Sequence, residues 1–149
     1  MRRYEATASI QAPMETVWRR LSDVVRWNQW TPTVTEVEAL DGPELSQGRR
    51  FRVQQPGLRP AIWSVTLMEA PSSFTWEARA PGVVMIAEHI LERTASGRTG
   101  LTLTFSFQGV LGPLIGWSYR KLVQSYLDTE ADSLRRHAEA DAARGSGAA

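Results

Sequence analysis

The chain has 149 residues, a length that suits one domain with a sizeable buried core and is short for two. Its net charge of +1 argues against the basic surface that binds a nucleic-acid backbone. With no cysteine, the sequence excludes disulfides, thiolate metal sites and a cysteine nucleophile, and it fits a reducing compartment.

The first part of the chain predicts one strand followed by two short helices. Apolar and polar residues alternate over residues 4–11, which indicates a half-buried strand. Pro13 breaks this strand, and apolar residues then recur at helical spacing from Met14 to Leu21, which predicts a short amphipathic helix. Ser22 and Asp23 can cap a second short helix, which is expected to end before Pro32.

Six further stretches predict strands, and the segments between them are rich in Pro, Gly and Ser. These strands are expected at residues 34–40, 49–54, 61–69, 74–80, 83–93 and 99–108. The connecting segments are short, as in the hairpins that join antiparallel neighbours. In the last stretch Leu101, Leu103 and Phe105 alternate with polar residues, so one face of the sheet is expected to be buried.

The longest segment with helical spacing covers residues 112–140. Gly112 and Pro113 supply a turn and a proline that suits the first helical position. One face of the predicted helix carries the apolar residues Leu114, Ile115, Tyr119, Leu122, Tyr126, Leu134 and Ala138. Residues 141–149 are expected to form a flexible tail. The order of elements predicts an α+β fold, in which the final helix covers a curved antiparallel sheet.

Several short sequences along the chain have a familiar form. They are residues 10–13 leading to Trp18, residues 27–32, residues 87–89, and residues 107–109 before Gly112. Over about residues 3 to 140 the chain resembles the START-like helix-grip (SRPBCC) superfamily, and within it the bacterial single-domain polyketide cyclase/dehydrase-like proteins. The resemblance implies a helix-grip fold, in which a curved seven-stranded antiparallel sheet wraps around a long C-terminal helix. It also implies two short helices after the first strand and one ligand-binding domain over residues 1–140, with an apolar cavity between sheet and helix.

His89 is the foremost candidate for chemistry. By strand alternation it shares a face with Met85, Ala87 and Leu91, so its imidazole is expected to point into an apolar space. If the protein is an enzyme, His89 can exchange protons with a ligand that enolises, while Tyr119 or an arginine holds the ligand oxygen. The alternative is a core histidine that is satisfied by one hydrogen bond.

Six tryptophans are unusual in so short a chain, because wide aromatic side chains line cavities as well as cores. Core filling is the alternative explanation for the aromatic residues, and the two tyrosines of the last helix can also serve core packing. The residues expected to contact a ligand are Trp27, Trp30, Arg52, Trp63, Leu67, Trp76, His89, Phe105, Tyr119, Leu122 and Tyr126.

One departure from the resembling aromatase/cyclases weakens the case for ring closure. Those relatives have an arginine associated with anchoring the polyketide on the strand that corresponds to residues 63–67. Here Trp63, Val65 and Leu67 share that face, and the nearest substitutes are Arg52 and Arg79 on other strands.

Three functions remain open on the sequence. The first is binding of a hydrophobic molecule that is aromatic, polyketide-like or lipid-like; the second is a cyclase/dehydrase-type enzyme; the third is a partner-binding module. No cofactor or metal is expected, since His89 and His137 lie on separate elements and no phosphate-binding motif occurs. No apolar run of about 18 residues is present, so we expect no stable membrane insertion and a cytoplasmic location. We expect the protein to be a monomer or a homodimer.

Overall fold

Seven strands and four helical segments make up the computed structural model, which describes residues 2–147. The strands are β1 Arg2–Ile10, β2 Glu36–Ala39, β3 Arg50–Gln54, β4 Ala61–Glu69, β5 Ser73–Ala80, β6 Val83–Ala95 and β7 Arg98–Gln108. The helical segments are α1 Met14–Ser22, a 3-10 helix over Val24–Gln29, α2 Gly112–Ser118 and α3 Arg120–Gly147. The predicted order of elements is confirmed.

All seven strands form one antiparallel sheet in the order β1-β7-β6-β5-β4-β3-β2. Strands β2 to β7 therefore follow one another as hairpins, and β1 joins the far side by pairing with β7, with Tyr4 opposite Phe105. The core lies between the inner face of this sheet and α3, with α1 and the 3-10 helix closing the side. This α+β helix-grip arrangement is the fold that the sequence predicted.

The predicted single helix over residues 112–140 is wrong, because it is interrupted at Tyr119. Tyr119 has φ −100° and ψ 8°, outside the helical region, and this one residue separates α2 from α3. A close contact fixes the direction of α2: a Cβ atom on Gly116 would lie 2.7 Å from the Cβ of Arg2. The apolar stripe divides as a result, and α3 buries Val123, Leu127 and Leu134, whereas Tyr119 is 40% exposed.

The predicted flexible tail is also corrected, since α3 continues to Gly147. The guanidinium of Arg20 donates two hydrogen bonds to the carboxylate of Asp141, at 2.6 and 2.9 Å, and so ties this end of α3 to α1. Residues 148 and 149 lie outside the described part of the chain. Of the helices described, none has both the length and the apolar character needed to cross a membrane.

Candidate functional site

A small cavity lies between the inner face of the sheet and the N-terminal half of α3. Its walls are mostly apolar and aromatic, and its main lining residues are Trp27, Val34, Val53, Leu58, Trp63, Trp76, Ala87, His89, Leu103, Phe105, Val123, Tyr126, Leu127 and Glu130. The free space measures about 40 Å³. A cavity that holds benzene measures roughly 150 Å³, so the closed site has room for water but not for an aromatic ring.

Strand pairing explains why the cavity has these walls. Trp76 pairs with Ala87, and Ala87 pairs with Phe105, so the three form one row across β5, β6 and β7. The small side chain of Ala87 leaves open the space between the two rings. Trp63 closes the row from β4, with its ring centroid 5.7 Å from that of Trp76 and 5.6 Å from that of Phe105. Trp27 covers Trp76 from the 3-10 helix, at 5.2 Å.

His89 is buried in this wall, in the inward orientation that strand alternation predicted. Its ring stacks on that of Phe74 at 4.1 Å, and its Nδ1 lies 3.2 Å from the Phe74 carbonyl oxygen. Because a carbonyl oxygen can only accept, Nδ1 carries the proton and Nε2 is an acceptor. Burial lowers the pKa of His89 to about 4, although the hydrogen bond to Phe74 works against this shift. At neutral pH the ring is therefore uncharged.

Glu130 of α3 is a second titratable group in the cavity, and the sequence analysis missed it. One of its carboxylate oxygens, Oε1, accepts a hydrogen bond from Thr33 Oγ1 at 2.8 Å, and Thr33 in turn accepts one from Thr31 Oγ1 at 2.8 Å. Burial raises the pKa of Glu130 to about 7, and the hydrogen bond from Thr33 opposes part of this effect. The sequence did carry a sign of this site, because Glu130 is in helical phase with Leu127 and Leu134 on the buried face.

The loop of residues 55–60, between β3 and β4, closes the mouth of the cavity. Leu58 lines the cavity from this loop, and the Tyr126 hydroxyl donates a hydrogen bond to the carbonyl oxygen of Pro56. Burial raises the pKa of Tyr126, and the charge of Glu130 adds to the shift. Leu122 packs beside the same loop, within 3.6 Å of the position that a Cβ on Gly57 would occupy. Two residues of α3 thus hold the loop in place.

The structure brings together six of the expected ligand-contacting residues. Lining the cavity are Trp27, Trp63, Trp76, His89, Phe105 and Tyr126. Trp30 is buried 5.7 Å from Trp27 but does not line the cavity, and its Nε1 has no hydrogen-bond partner within residues 2–147. Leu122 lies at the loop instead of the wall, and Tyr119 lies at the exposed break before α3. Trp30, Leu122 and Tyr119 therefore do not line the cavity.

Leu67 and Arg52, two further residues expected to contact a ligand, do not line the cavity either. In β4 the pairing with β5 shifts between Val65 and Leu67, and this bulge turns Leu67 outward, where it is 63% exposed, so that Met68 packs on the core instead. Arg52 lies between two buried residues of β3 and therefore points to the outer face, beside Glu38.

The charges of the site are few. None of the residues that line the cavity in the described part of the chain is Lys or Arg. Across residues 2–147 no three His, Asp or Glu side chains come together as a metal ion would require. The polar side chains among the lining residues are Gln55, Glu88, His89, Thr104, Tyr126 and Glu130. Thr104 already donates a hydrogen bond to Glu88, and the groups on which we focus are the acceptor nitrogen of His89, the Glu130 carboxyl and the Tyr126 hydroxyl.

Comparison with known proteins assigns the chain to a family. Residues 1–139 match the family model described as polyketide cyclase/dehydrase and lipid transport. No curated protein matches the chain.

Solved structures show the same fold at low sequence identity. Hypothetical protein jhp0584 from Helicobacter pylori superposes with a TM-score of 0.79 at 15% identity, over 92% of this chain and 88% of that one. The Zhui aromatase/cyclase from Streptomyces sp. R1128 superposes with a TM-score of 0.67 at 23% identity, over 96% of this chain and 94% of that one. The protein TTHA0849 from Thermus thermophilus superposes with a TM-score of 0.68 at 18% identity, over 97% of this chain and 99% of that one. The fold and the family model agree, and the chain belongs to the polyketide cyclase/dehydrase and lipid-transport family, with its hydrophobic-ligand-binding fold.

Proposed function

We propose that the protein binds a hydrophobic small molecule, aromatic, polyketide-like or lipid-like, between the sheet and α3. The observation that carries this proposal is the cavity itself, which is lined mainly by aromatic and aliphatic side chains and by a smaller number of polar ones. The matching family model, whose description includes both cyclases and lipid transport, supports the same proposal.

The ligand must open the loop of residues 55–60 because the closed cavity is too small. Breaking the hydrogen bond from Tyr126 to Pro56 costs about 1 kcal/mol, and exposing the half-buried Leu58 costs about 1 kcal/mol. One aromatic ring buries about 150 Å², which contributes about 4 kcal/mol at roughly 25 cal/mol per Å². A single ring therefore gains little over the cost of opening. Two or three fused rings, or a lipid-like chain, gain enough for tight binding.

The polar groups in the cavity restrict the chemistry of the ligand. The unprotonated Nε2 of His89 accepts a hydrogen bond, so it favours a ligand hydroxyl over a ligand carbonyl. Glu130 can donate when it is protonated and accept when it is ionised, and a pKa of about 7 gives both forms near neutral pH. The ligand we expect is thus mainly apolar, with one or two hydroxyl or carbonyl groups that pair with these two side chains.

A steric block tests the proposal. Ala87→Leu places a larger side chain between Trp76 and Phe105, whereas Ala78→Leu makes the same change at a buried position of β5 that does not line the cavity. Both variants are checked for folding by circular dichroism and then titrated with 1-naphthol and dodecanoic acid, with tryptophan fluorescence as the readout. We expect the wild type and Ala78→Leu to bind and Ala87→Leu to lose binding. Equal binding by both variants, or none by the wild type, contradicts the proposal.

The second candidate function is a cyclase/dehydrase-type reaction. It is favoured by one observation, namely that Glu130 has a pKa near neutrality and lines the same cavity as His89, which suits proton transfer. A pKa of about 4 makes His89 a weak base, and so Glu130 is the better candidate for moving the proton. Incubation with a short poly-β-ketone tests this function: the wild type should form a ring with loss of water, and Glu130→Gln should not. Absence of turnover by the wild type refutes it.

A further inference from the structure

Exposed apolar side chains are concentrated in one short segment. Val110, Leu111, Leu114 and Trp117 form this group, which we call the α2 patch. Leu114 is 63% exposed and Trp117 is 50% exposed. Leu114 and Trp117 are three residues apart, as neighbours on one side of a helix are, and Val110 and Leu111 lie in the turn just before α2. Such a cluster of large apolar residues on a surface marks a site of interaction.

The exposed face belongs to a helix that is firmly held. The Tyr4 hydroxyl donates a hydrogen bond to the Gly116 carbonyl oxygen at 2.8 Å, on the buried side of α2. The backbone N–H of Leu111 donates to the Gly82 carbonyl oxygen, also at 2.8 Å. Gly116 itself is buried against Arg2. The helix thus packs on β1 with its glycine side and presents its leucine and tryptophan outward.

Three basic residues, Arg2, Arg120 and Lys121, lie beside or just after the α2 patch. The sequence has no acidic residue between Glu92 and Asp128. The guanidinium of Arg120 lies over the Trp117 ring, 4.2 Å from its centroid, and Lys121 follows it on the exposed side of α3. Arg2 abuts Gly116 from β1. Large apolar side chains with adjacent basic groups are the two features that hold an interfacial helix on an anionic bilayer.

We propose that the α2 patch docks the protein on the surface of an anionic lipid bilayer. Leu114 and Trp117 enter the interfacial layer, where tryptophan is favoured, and Arg2, Arg120 and Lys121 contact the lipid headgroups. A helix of seven residues provides too little apolar area for insertion by itself, so docking is reversible and requires the negative headgroups. This proposal is independent of what the cavity binds.

The α2 patch is followed directly in the chain by the part of α3 that holds the loop over the cavity. Trp117 precedes the break at Tyr119, and the first turns of α3 then carry Leu122 and Tyr126, which hold the loop of residues 55–60.

Vesicle sedimentation tests the docking surface with matched controls. The probes are vesicles of pure phosphatidylcholine and vesicles of an equal mixture of phosphatidylcholine and phosphatidylserine. Leu114→Ser is compared with Leu67→Ser, since both leucines are 63% exposed and only the first lies in the α2 patch. Lys121→Glu is compared with Arg98→Glu, which makes the same charge change elsewhere. Arg98 begins β7, whereas the α2 patch follows the other end of that strand.

We expect the wild type to sediment with the mixed vesicles, more weakly with pure phosphatidylcholine, and less as salt is raised. Leu114→Ser and Lys121→Glu should each weaken binding roughly fivefold to tenfold, while Leu67→Ser and Arg98→Glu leave it unchanged. Equal losses for Leu114→Ser and Leu67→Ser overturn the proposal, as does failure of the folded wild type to bind. A dimer that Leu114→Ser abolishes, without vesicle binding, assigns the α2 patch to a second copy of the chain instead.

Discussion

Replacing Glu130 by glutamine should change how the stability of the protein depends on pH. Glutamine keeps the size of the side chain and an oxygen that can accept from Thr33, but it cannot ionise. In the wild type the carboxyl is neutral in both folded and unfolded chains below about pH 4.5. As the pH rises towards 7, the unfolded chain ionises first, so the folded state loses stability up to the folded pKa of about 7.

The size of this effect follows from the two pKa values. A rise from 4.5 to about 7 corresponds to about 3 kcal/mol of unfolding free energy, which is fully lost above the higher value. In a chain of this length that is a change in Tm of about 10 °C. Glu130→Gln should therefore gain about 3 kcal/mol over the wild type between pH 4.5 and pH 8.

His89 acts in the opposite direction over nearly the same range. Its pKa is lowered from 6.5 to about 4, so its contribution to stability is present above pH 6.5 and is lost as the pH falls towards 4. Between about pH 4.5 and 6.5 the two groups offset each other in the wild type. With Glu130→Gln only the His89 slope remains and stability rises with pH; with His89→Phe only the Glu130 slope remains and stability falls.

Thermal unfolding, followed by circular dichroism from pH 4 to 8.5, measures these slopes. Asp132→Asn is the control on the same helix, since hydrogen bonds from Arg135 and Arg136 hold the pKa of that exposed carboxyl below its usual value. Its removal should give no gain at high pH. A difference between Glu130→Gln and the wild type that stays constant across the pH range would refute the assignment of a buried carboxyl with a raised pKa.

Two further predictions concern the mouth and the wall of the cavity. Tyr126→Phe removes the hydrogen bond to Pro56 and should speed hydrogen exchange of the amides in residues 55–60, with a loss of unfolding free energy of about 1 kcal/mol or less; unchanged exchange would contradict the closing role of this contact. Leu103→Ala should cost about 2–5 kcal/mol and join its new space to the cavity, so that added naphthalene raises Tm. Leu101→Ala is equally buried on β7 but outside the cavity, and naphthalene should leave its Tm unchanged.

Most of the fold could be predicted from the sequence because local patterns and the tertiary structure agree. Alternation over residues 99–108 and 83–93 correctly placed the inner faces of β7 and β6, and with them the burial of His89. The order of elements was enough for the α+β class. Alternation also identified the central aromatic residues of the cavity wall, since Trp63, Trp76 and Phe105 each lie at an inward strand position.

The errors occur where a contact between distant residues decides the outcome. The break at Tyr119 follows a helix whose Gly116 packs against Arg2, more than a hundred residues away, and such a contact has no signature in local spacing. The outward turn of Leu67 depends on how β4 pairs with β5, since one extra residue reverses every later side chain. Glu130 was missed because a charged residue on a helix is ordinarily assigned to the solvated face, whereas burial of this one depends on Thr33.

The central claim is that a hydrophobic molecule occupies the space between the sheet and α3, and native mass spectrometry of protein purified from its own host measures this most directly. The wild type and Ala78→Leu should carry a noncovalent apolar compound that Ala87→Leu, purified in parallel, lacks. Finding no bound compound on the wild type, or the same compound on all three proteins, would contradict the claim.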